Sequence, residues 1–600
     1  MKNFLKTVGA SLVGVLIGFL IISFIGIAMI GAVVGSMGSS KPFILKEKTI
    51  LRIDLSGTFN DRKTDNPFSS FTGTSSTGID DVLSAIKKAK ENEKVKGIYL
   101  RCKDLSGGIA SLEPVRNALV DFKESGKFVI SYSDSYNQAT YYLASTADKI
   151  ILNPKGDLDF HGLAIRLQFV RGMYEKLGVQ YEVFKVGTFK SAVEPYIQDK
   201  MSDANREQTE SYLNDVWSHL LEKISESRHI PVATLNEYAD KYLGFYDADS
   251  IVQFGMVDTL IYAVGIEKYL KELIEAKEDD KLNIASVKNI NGIPEVKGKK
   301  SKDVIAVLYA EGGIVMKEEK SNFLAGNTVA AEKYITEIQK LKEDKNVKAV
   351  VFRVNSPGGS AYASEQIWNS IEELKKEKPV IVSMGDFAAS GGYYISCNAT
   401  TIVAEPTTLT GSIGIFAILP NGEELSKKMG VTFDEVTTNK HAGFGGQAFG
   451  IPLLITAKSR AFTNEESQML QDYIERGYDL FVTRCADGRS KTKDEIDAIG
   501  QGRVWTGKQA FDLGLVDKLG GLDDAIKIAV EAAEIEGYTL KNYPEKTDFF
   551  AELFKSTMGE TTIRWTRFIM GEDVYHQQKM MQMLRNAEIC VAEMPERISF

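Results

Sequence analysis

The segment DFAASGGYY puts Ser390 where an apolar run, VIVSM from Val380, meets a glycine-led stretch, with Ala388 two residues before it and Gly392 two after. Small residues at those spacings let a strand turn sharply into a helix and expose a hydroxyl at the turn, a relaxed form of the nucleophile elbow. Gly391 follows directly, so its backbone N–H can face an oxyanion formed when that hydroxyl attacks a carbonyl. A second loop, NSPGGSA, supplies Gly358 and Gly359 after Pro357. Glycine there allows close approach of backbone to substrate and offers a second N–H donor. Each signal also has a plainer reading: a serine at a strand–helix junction caps helices, and Pro-Gly-Gly makes turns. A serine nucleophile needs a base as well. In the second half of the chain the histidine in a comparable loop is His441, in TTNKHAGFGG, whereas VFKVGTFKSAVEPY in the first half carries Lys190 between Phe189 and Ser191-Ala192-Val193. Burial among small and apolar neighbours disfavours an ammonium and makes a lysine usable as a general base. Lys185 is its nearest rival, and a solvated surface lysine is the plain alternative.

The elements that must position these groups are written twice. GIYLRCKDLSGGIAS from Gly97 lines up with AVVFRVNSPGGSAYAS from Ala349, KFVISYSDSYNQATYYLASTADKIILNP from Lys127 with KPVIVSMGDFAASGGYYISCNATTIVAEP from Lys378, and FYDADSIVQFGMVDTL from Phe245 with VWTGKQAFDLGLVDKL from Val504. Ordered matches at nearly constant spacing mark a tandem duplication. Within the second copy VIAVLYA, VKAVVFRV and VIVSMGD read as strands, with helices over TVAAEKYITEIQKLKED and SEQIWNSIEELKKE and a helix start at GGYYISCNA. Strand–helix alternation specifies βαβ units and parallel strands, with sites in loops at the carboxyl ends of strands. Both glycine loops fall there.

The leading residues read differently. From Thr7 to Ser40 there is no charged residue, and a helix needs about 20 apolar residues to span a bilayer. The run is longer than the apolar core of a secretory signal, about 7–15 residues, so an uncleaved anchor is expected. Lysines flank both ends and leave the positive-inside rule nearly balanced, but long following domains translocate largely regardless of charge. Across the whole chain, 72 Lys plus Arg stand against 81 Asp plus Glu, which argues against nucleic acid as a partner. The 4 cysteines lie far apart and the histidines number 5, so neither a zinc ribbon nor a dense disulfide scaffold can be built. Isolated buried thiols are expected.

With RVNSPGGSAYASEQIW, MGDFAASGGYYIS, TGSIGIF from Thr410 and VGTFKSAVEPY in view, the chain resembles signal peptide peptidase A (protease IV) of the long, duplicated bacterial type. The resemblance implies the Clp-protease/crotonase superfamily fold: α/β, two tandem repeats of ββα units after one N-terminal transmembrane helix. It implies a Ser/Lys dyad at the interface of the two copies, with the nucleophile on Ser390 and the general base on Lys190. Gly359 and Gly391 match the oxyanion-hole glycines. Ser412 matches a serine that orients the lysine amine, a part Ser191 could also play. No metal or organic cofactor is implied. Substrates would be signal peptide remnants and other short apolar peptides, and the assembly a homotetramer. The expected place is the bacterial inner membrane, single-pass through the N-terminal helix, with the catalytic body facing the periplasm. In the repeat alignment Ser390 faces Gln138, and Lys190 faces Ala442, so each copy would hold half a site.

The expected organisation is an anchor over 1–45, a first repeat over 46–290, a linker over 291–303 within the lysine- and glycine-rich stretch from Val287, a second repeat over 304–545 and a helical tail over 546–600. Leu105 stands in the first copy where the second has Pro357, so the first glycine loop is expected to lack oxyanion geometry. Two rivals remain at this point. An acyl-CoA hydratase or isomerase of the same superfamily would need a carboxylate near the site, and Glu194 is the obvious one. A non-catalytic membrane scaffold would have no physical reason to keep a buried lysine.

Overall fold

The computed structural model of the chain describes residues 43–62, 76–293, 301–318, 327–446, 448–451, 455–545 and 591–593, with positions 14 and 18. The expected anchor over 1–45 falls almost wholly outside them. Among the described residues no helix is long and apolar enough to cross a membrane.

The architecture is mixed α/β. In the first unit, strands Ser76–Gly78, Thr49–Asn60, Val95–Ser106, Phe128–Tyr136, Lys149–Leu158 and Thr259–Leu260 lie side by side in that order, and Asn283–Ser286 joins at Thr49–Asn60. All these pairings are parallel. The second unit repeats the plan with Leu409–Gly411, Val380–Ala389, Val347–Ser356, Val304–Glu311 and Thr539–Tyr543 in one sheet. Strand Val347–Ser356 shows why such sheets form: VKAVVFRVNS is buried at every position but Lys348 and Asn355. A strand covered on both faces must be apolar throughout, which is the parallel-sheet signature. Helices Ile79–Glu91 and Ile109–Lys123 pack together beside the first sheet, and Ala331–Glu343 and Ala361–Lys375 do so beside the second. Each unit then adds one long helix, Asp203–Arg228 or Asn464–Arg489, capped by the side chains of Ser202 and Thr463.

A third sheet crosses between the units. Its order is Thr328–Ala330, Gly313–Val315, Gly358–Ser360, Val591–Glu593, Ile415–Asn421, Ile455–Lys458 and Ala448–Ile451, and Gln180–Val186 of the first unit pairs with Ile415–Asn421. Three expectations are corrected. Val287–Asn291 is a helix capped by Ser286, with Ile290 buried, because its apolar residue finds a place in the first core. Thr328–Ala330 is a short strand before its helix, since it finds an edge at Gly313–Val315 to pair with. Within the tail expected to be helical, the three described residues, Val591–Glu593, form a strand between two others; the rest of that tail lies outside the described residues. Cys102, Cys397 and Cys485 are buried free thiols.

The two units are fastened by buried polar contacts. Arg353 of the second donates through Nε to both oxygens of Asp61 at 3.1 Å and through Nη2 to Oδ1 at 2.8 Å. Its Nη1 reaches the Ser383 hydroxyl at 3.0 Å and the Met384 carbonyl at 2.6 Å. Nearby, Ser111 donates its N–H to Asp386 Oδ1 at 2.8 Å and its hydroxyl to Oδ2 at 2.5 Å. Glu405 lies at the same boundary. Burial, reinforced by the Glu113 carboxylate, pushes it up to about 8.

Two outcomes follow. Asp61→Ala leaves the Arg353 guanidinium buried without its carboxylate, which costs about 3–5 kcal/mol; a urea midpoint equal to the parent's contradicts the account. A carboxyl whose pKa is raised by folding takes up a proton on folding, so stability falls as pH rises from the ordinary glutamate range through about 8. Glu405→Gln should flatten that decline, read as urea midpoints at several pH values across the window.

Candidate active site

Strand Val380–Ala389 ends at Ser390, which is wholly buried and has φ 54° and ψ −114°. That is a costly conformation for a residue with a Cβ. It is held from both sides: the Ser390 N–H donates to the Gly411 carbonyl at 2.8 Å and the Ser390 carbonyl accepts from the Tyr394 N–H at 2.8 Å. The short helix Gly391–Tyr394 follows. A Cβ on Gly392 would lie 2.5 Å from the Ser356 carbonyl oxygen, so only glycine lets this helix seat against the NSPGG loop. There the Gly358 N–H donates to the Ser356 hydroxyl at 3.2 Å. Gly359 is next, with φ 153°.

Lys190 arrives from the other unit. Strand Gln180–Val186 runs antiparallel to Ile415–Asn421, from Gln180 opposite Asn421 to Val186 opposite Ile415. The turn after it delivers Lys190, 1% exposed, to the end of the Ser390 strand. Its Nζ lies 2.7 Å from Ser390 Oγ, 3.0 Å from Ser412 Oγ and 3.1 Å from the Ser412 carbonyl oxygen. Ser412, at φ 51°, is fixed by donating its N–H to the Arg503 carbonyl at 2.7 Å.

A brace that the sequence reading missed runs along Gln501–Gly502–Arg503. The Phe189 N–H donates to the Gln501 carbonyl at 2.8 Å, and the Gly502 N–H to the Ile413 carbonyl at 2.7 Å. Gly502 has φ 77°, and a Cβ there would sit 2.7 Å from both Cβ and N of Lys190. Gln208 completes it, donating to the Phe189 carbonyl at 2.9 Å and to the Ser191 hydroxyl at 3.0 Å. Ser191 is thereby turned to Gln208, and Ser412 takes the place beside the amine. The signal in the sequence was the Gly-Gln-Gly of IGQGRVW, a turn pattern without an obvious partner.

The rivals are placed elsewhere. Lys185 Nζ donates to the Lys190 carbonyl at 3.4 Å and not to Ser390. His441 stands 3.4 Å from Glu465 in an outer loop. Glu194 is buried, but its carboxylate accepts from Ser202 N at 3.1 Å, Ser202 Oγ at 2.6 Å and Asn205 Nδ2 at 2.9 Å, which spends it on the start of the long helix. In the first unit Gln138 fills the place corresponding to Ser390. Its side-chain carbonyl accepts from the N–H groups of His161 at 3.0 Å and Gly162 at 2.7 Å. Among the described residues there is no cluster of three or more His, Cys, Asp or Glu able to hold a metal.

A buried serine hydroxyl beside an amine, at the glycine-rich ends of parallel strands, defines a class: hydrolases that attack carbonyls through serine. Comparison with known proteins agrees. The model of Peptidase family S49 matches twice, over residues 121–277 and 372–536, and a Clp protease model matches 296–407. Protease 4 of Salmonella typhi is 37% identical over 489 residues, covering 80% of this chain and 76% of that protein. Protease 4 of Haemophilus influenzae is 37% identical over 459 residues, 75% and 72% of the two chains. The chloroplastic serine protease SPPA of Arabidopsis thaliana is 32% identical over 452 residues, 75% and 64%. The chain belongs to peptidase family S49 and is a serine peptidase. The double match also carries the duplication read from the sequence.

Gly502→Ala tests the brace. The added methyl displaces Lys190 in a folded protein, and a shift of about 1 Å at a reacting group costs about 100-fold. Peptide hydrolysis should fall by that order in a protein that still folds, with the melting temperature lowered by the strain of an alanine at positive φ; undiminished turnover would contradict it.

Proposed function

We propose that the chain is a membrane-anchored serine endopeptidase that uses Ser390 and Lys190 to degrade released signal peptides and other short apolar peptides in or near the bilayer. The observation that carries the proposal is the 2.7 Å approach of Lys190 Nζ to Ser390 Oγ, made by groups from two different units.

The stoichiometry of the amine suits a base. A neutral lysine has two N–H donors and one lone pair. Nζ lies within donating distance of Ser390 Oγ and of both oxygens of Ser412; in the neutral form two N–H groups suffice for Ser412, and the lone pair is then left to accept from the Ser390 hydroxyl. As Oγ bonds to the peptide carbonyl carbon, its proton passes to Nζ. The oxyanion is received by the N–H groups of Gly359 and Gly391, each such donor being worth about 3 kcal/mol of barrier. Nζ then gives its proton to the leaving amine as the C–N bond breaks. Water, activated by the same amine, hydrolyses the acyl ester and restores Ser390. In this proposal no metal or organic cofactor takes part.

In the same proposal the chain divides into the anchor 1–45, the two repeats 46–290 and 304–545 with the linker 291–303 between them, and the tail 546–600. The anchor holds the body at the periplasmic face of a bacterial inner membrane, where signal peptide remnants are released. The assembly in this proposal is the homotetramer that the resemblance implies.

Ser390→Ala and Lys190→Met should each abolish hydrolysis of a short apolar peptide, by 1000-fold or more on the order of single-residue removals from such pairs, with melting temperatures preserved. The parent's rate should rise with pH as the amine loses its proton. A Lys190→Met enzyme with the parent's rate and profile would remove Lys190 from the mechanism. Light scattering of the detergent-solubilised chain should give four copies per particle; a monodisperse monomer would remove the tetramer.

A further inference from the structure

Two backbone N–H groups must converge on one point to receive an oxyanion, and in this fold they ride on different elements. Gly359 stands two residues before helix Ala361–Lys375, and Gly391 is the first residue of helix Gly391–Tyr394. Each glycine is fastened to its helix. The Ser360 hydroxyl accepts from the Ala363 N–H at 3.1 Å, and the Ser364 hydroxyl donates to the Ser360 carbonyl at 2.8 Å. The Gly391 carbonyl accepts from the Ile395 N–H at 3.1 Å. The separation of the two donors therefore follows from how the two helices are docked.

A polar contact joins those helices close to both glycines. Tyr394, 2% exposed, donates its hydroxyl to Glu365 Oε2 at 2.7 Å. Burial, with the Glu365 carboxylate beside it, pushes the phenol up, so it stays a donor. Glu365 is held in turn from the long helix Asn464–Arg489. Arg484 Nη2 donates to Glu365 Oε1 at 2.6 Å and Nε to Oε2 at 3.3 Å. The Arg484 guanidinium lies 3.8 Å from the centre of the Trp368 ring, and the rings of Tyr394 and Phe481 are 4.4 Å apart. The first unit carries the same pair, with the Tyr142 hydroxyl donating to Glu113. There the elbow holds Gln138, and the Asp386 carboxylate sits at the start of helix Ile109–Lys123. A brace that serves only to hold the fold together is the plain alternative.

We propose that Glu365 and Tyr394 are positioning residues of the oxyanion hole, setting the separation of the Gly359 and Gly391 N–H groups, with Arg484 holding Glu365 in place. This rests on the reading of Ser390 as nucleophile and of those two glycines as its donors. Without the tie the helices drift against each other and the donors no longer meet at one point. The substrate still enters and binds. The loss therefore falls on the transition state, where the charge develops.

The test is the kinetics of the full chain in detergent on a short apolar reporter peptide. Sites are counted with a serine-directed fluorophosphonate, so that only folded enzyme enters the rate. Tyr394→Phe and Glu365→Ala should each lower kcat per site about tenfold with KM unchanged, short of the loss of about 100-fold or more that removing a donor outright causes. Affinity for a peptide aldehyde, whose adduct with Ser390 puts an oxygen in the hole, should fall by the same factor. The double variant should be no slower than either single one, because both break one tie. Glu365→Gln, whose amide still reaches Tyr394 and Arg484, should recover most of the rate lost with alanine. The positioning role alone is overturned by a parental kcat per site in Tyr394→Phe, by a loss confined to KM, by losses that multiply in the double variant, or by a Glu365→Gln enzyme as slow as Glu365→Ala. If the parent leaves the reporter uncut, the reading of Ser390 and Lys190 falls and takes this inference with it.

Discussion

In the proposed mechanism a serine hydroxyl and a lysine amine, both withdrawn from water, must meet within hydrogen-bond distance. Neither group reacts usefully alone: the hydroxyl holds its proton, and a solvated amine is an ammonium with nothing to accept with. Their contact at 2.7 Å is made between two units that are separate in sequence by 200 residues. Much of the rest of the fold can be understood as what keeps that distance fixed.

The antiparallel pairing of Gln180–Val186 with Ile415–Asn421 carries the lysine across, and the Gln501–Gly502–Arg503 segment closes over its backbone. Arg353 with Asp61 and Asp386 with Ser111 fix the units to each other a short way along the same strands. Buried ion pairs of this sort contribute little net stability, because desolvation consumes most of the Coulomb gain, yet losing one partner is expensive. They therefore act less as glue than as a constraint on how the two units are docked. Strain is gathered where precision is needed. Ser390, Ser412 and Gln501 all hold positive φ within this one region, and each is over-determined by backbone hydrogen bonds.

The duplication and the strand–helix order were legible because they rest on hydrophobic period and on turn residues, which are local. Ser390 was legible because an elbow needs small neighbours, and those neighbours are adjacent in sequence. Lys190 was harder: its small and apolar neighbours made it a candidate beside Lys185, but its burial depends on Gly502 and Gly414, which lie more than 200 residues downstream, and the resemblance chose between the two. The resemblance also put Ser412 beside the amine, where spacing alone left Ser191 open; what decides between them is Gln208, a long-range contact. The Arg353–Asp61 pair was invisible for the same reason. Val591–Glu593 was read as part of a helix because its surroundings are rich in Phe, Leu and Met, and a strand's pairing partner is set by another part of the chain.

The central claim is that the two units each supply half of one reacting pair. It is tested most directly by treating the intact enzyme with a serine-directed fluorophosphonate and locating and timing the adduct by mass spectrometry. One adduct per chain on Ser390, forming at least 100-fold more slowly in Lys190→Met than in the parent, is the predicted result. Labelling at another serine, or labelling of Ser390 at an unchanged rate without the lysine, would contradict it.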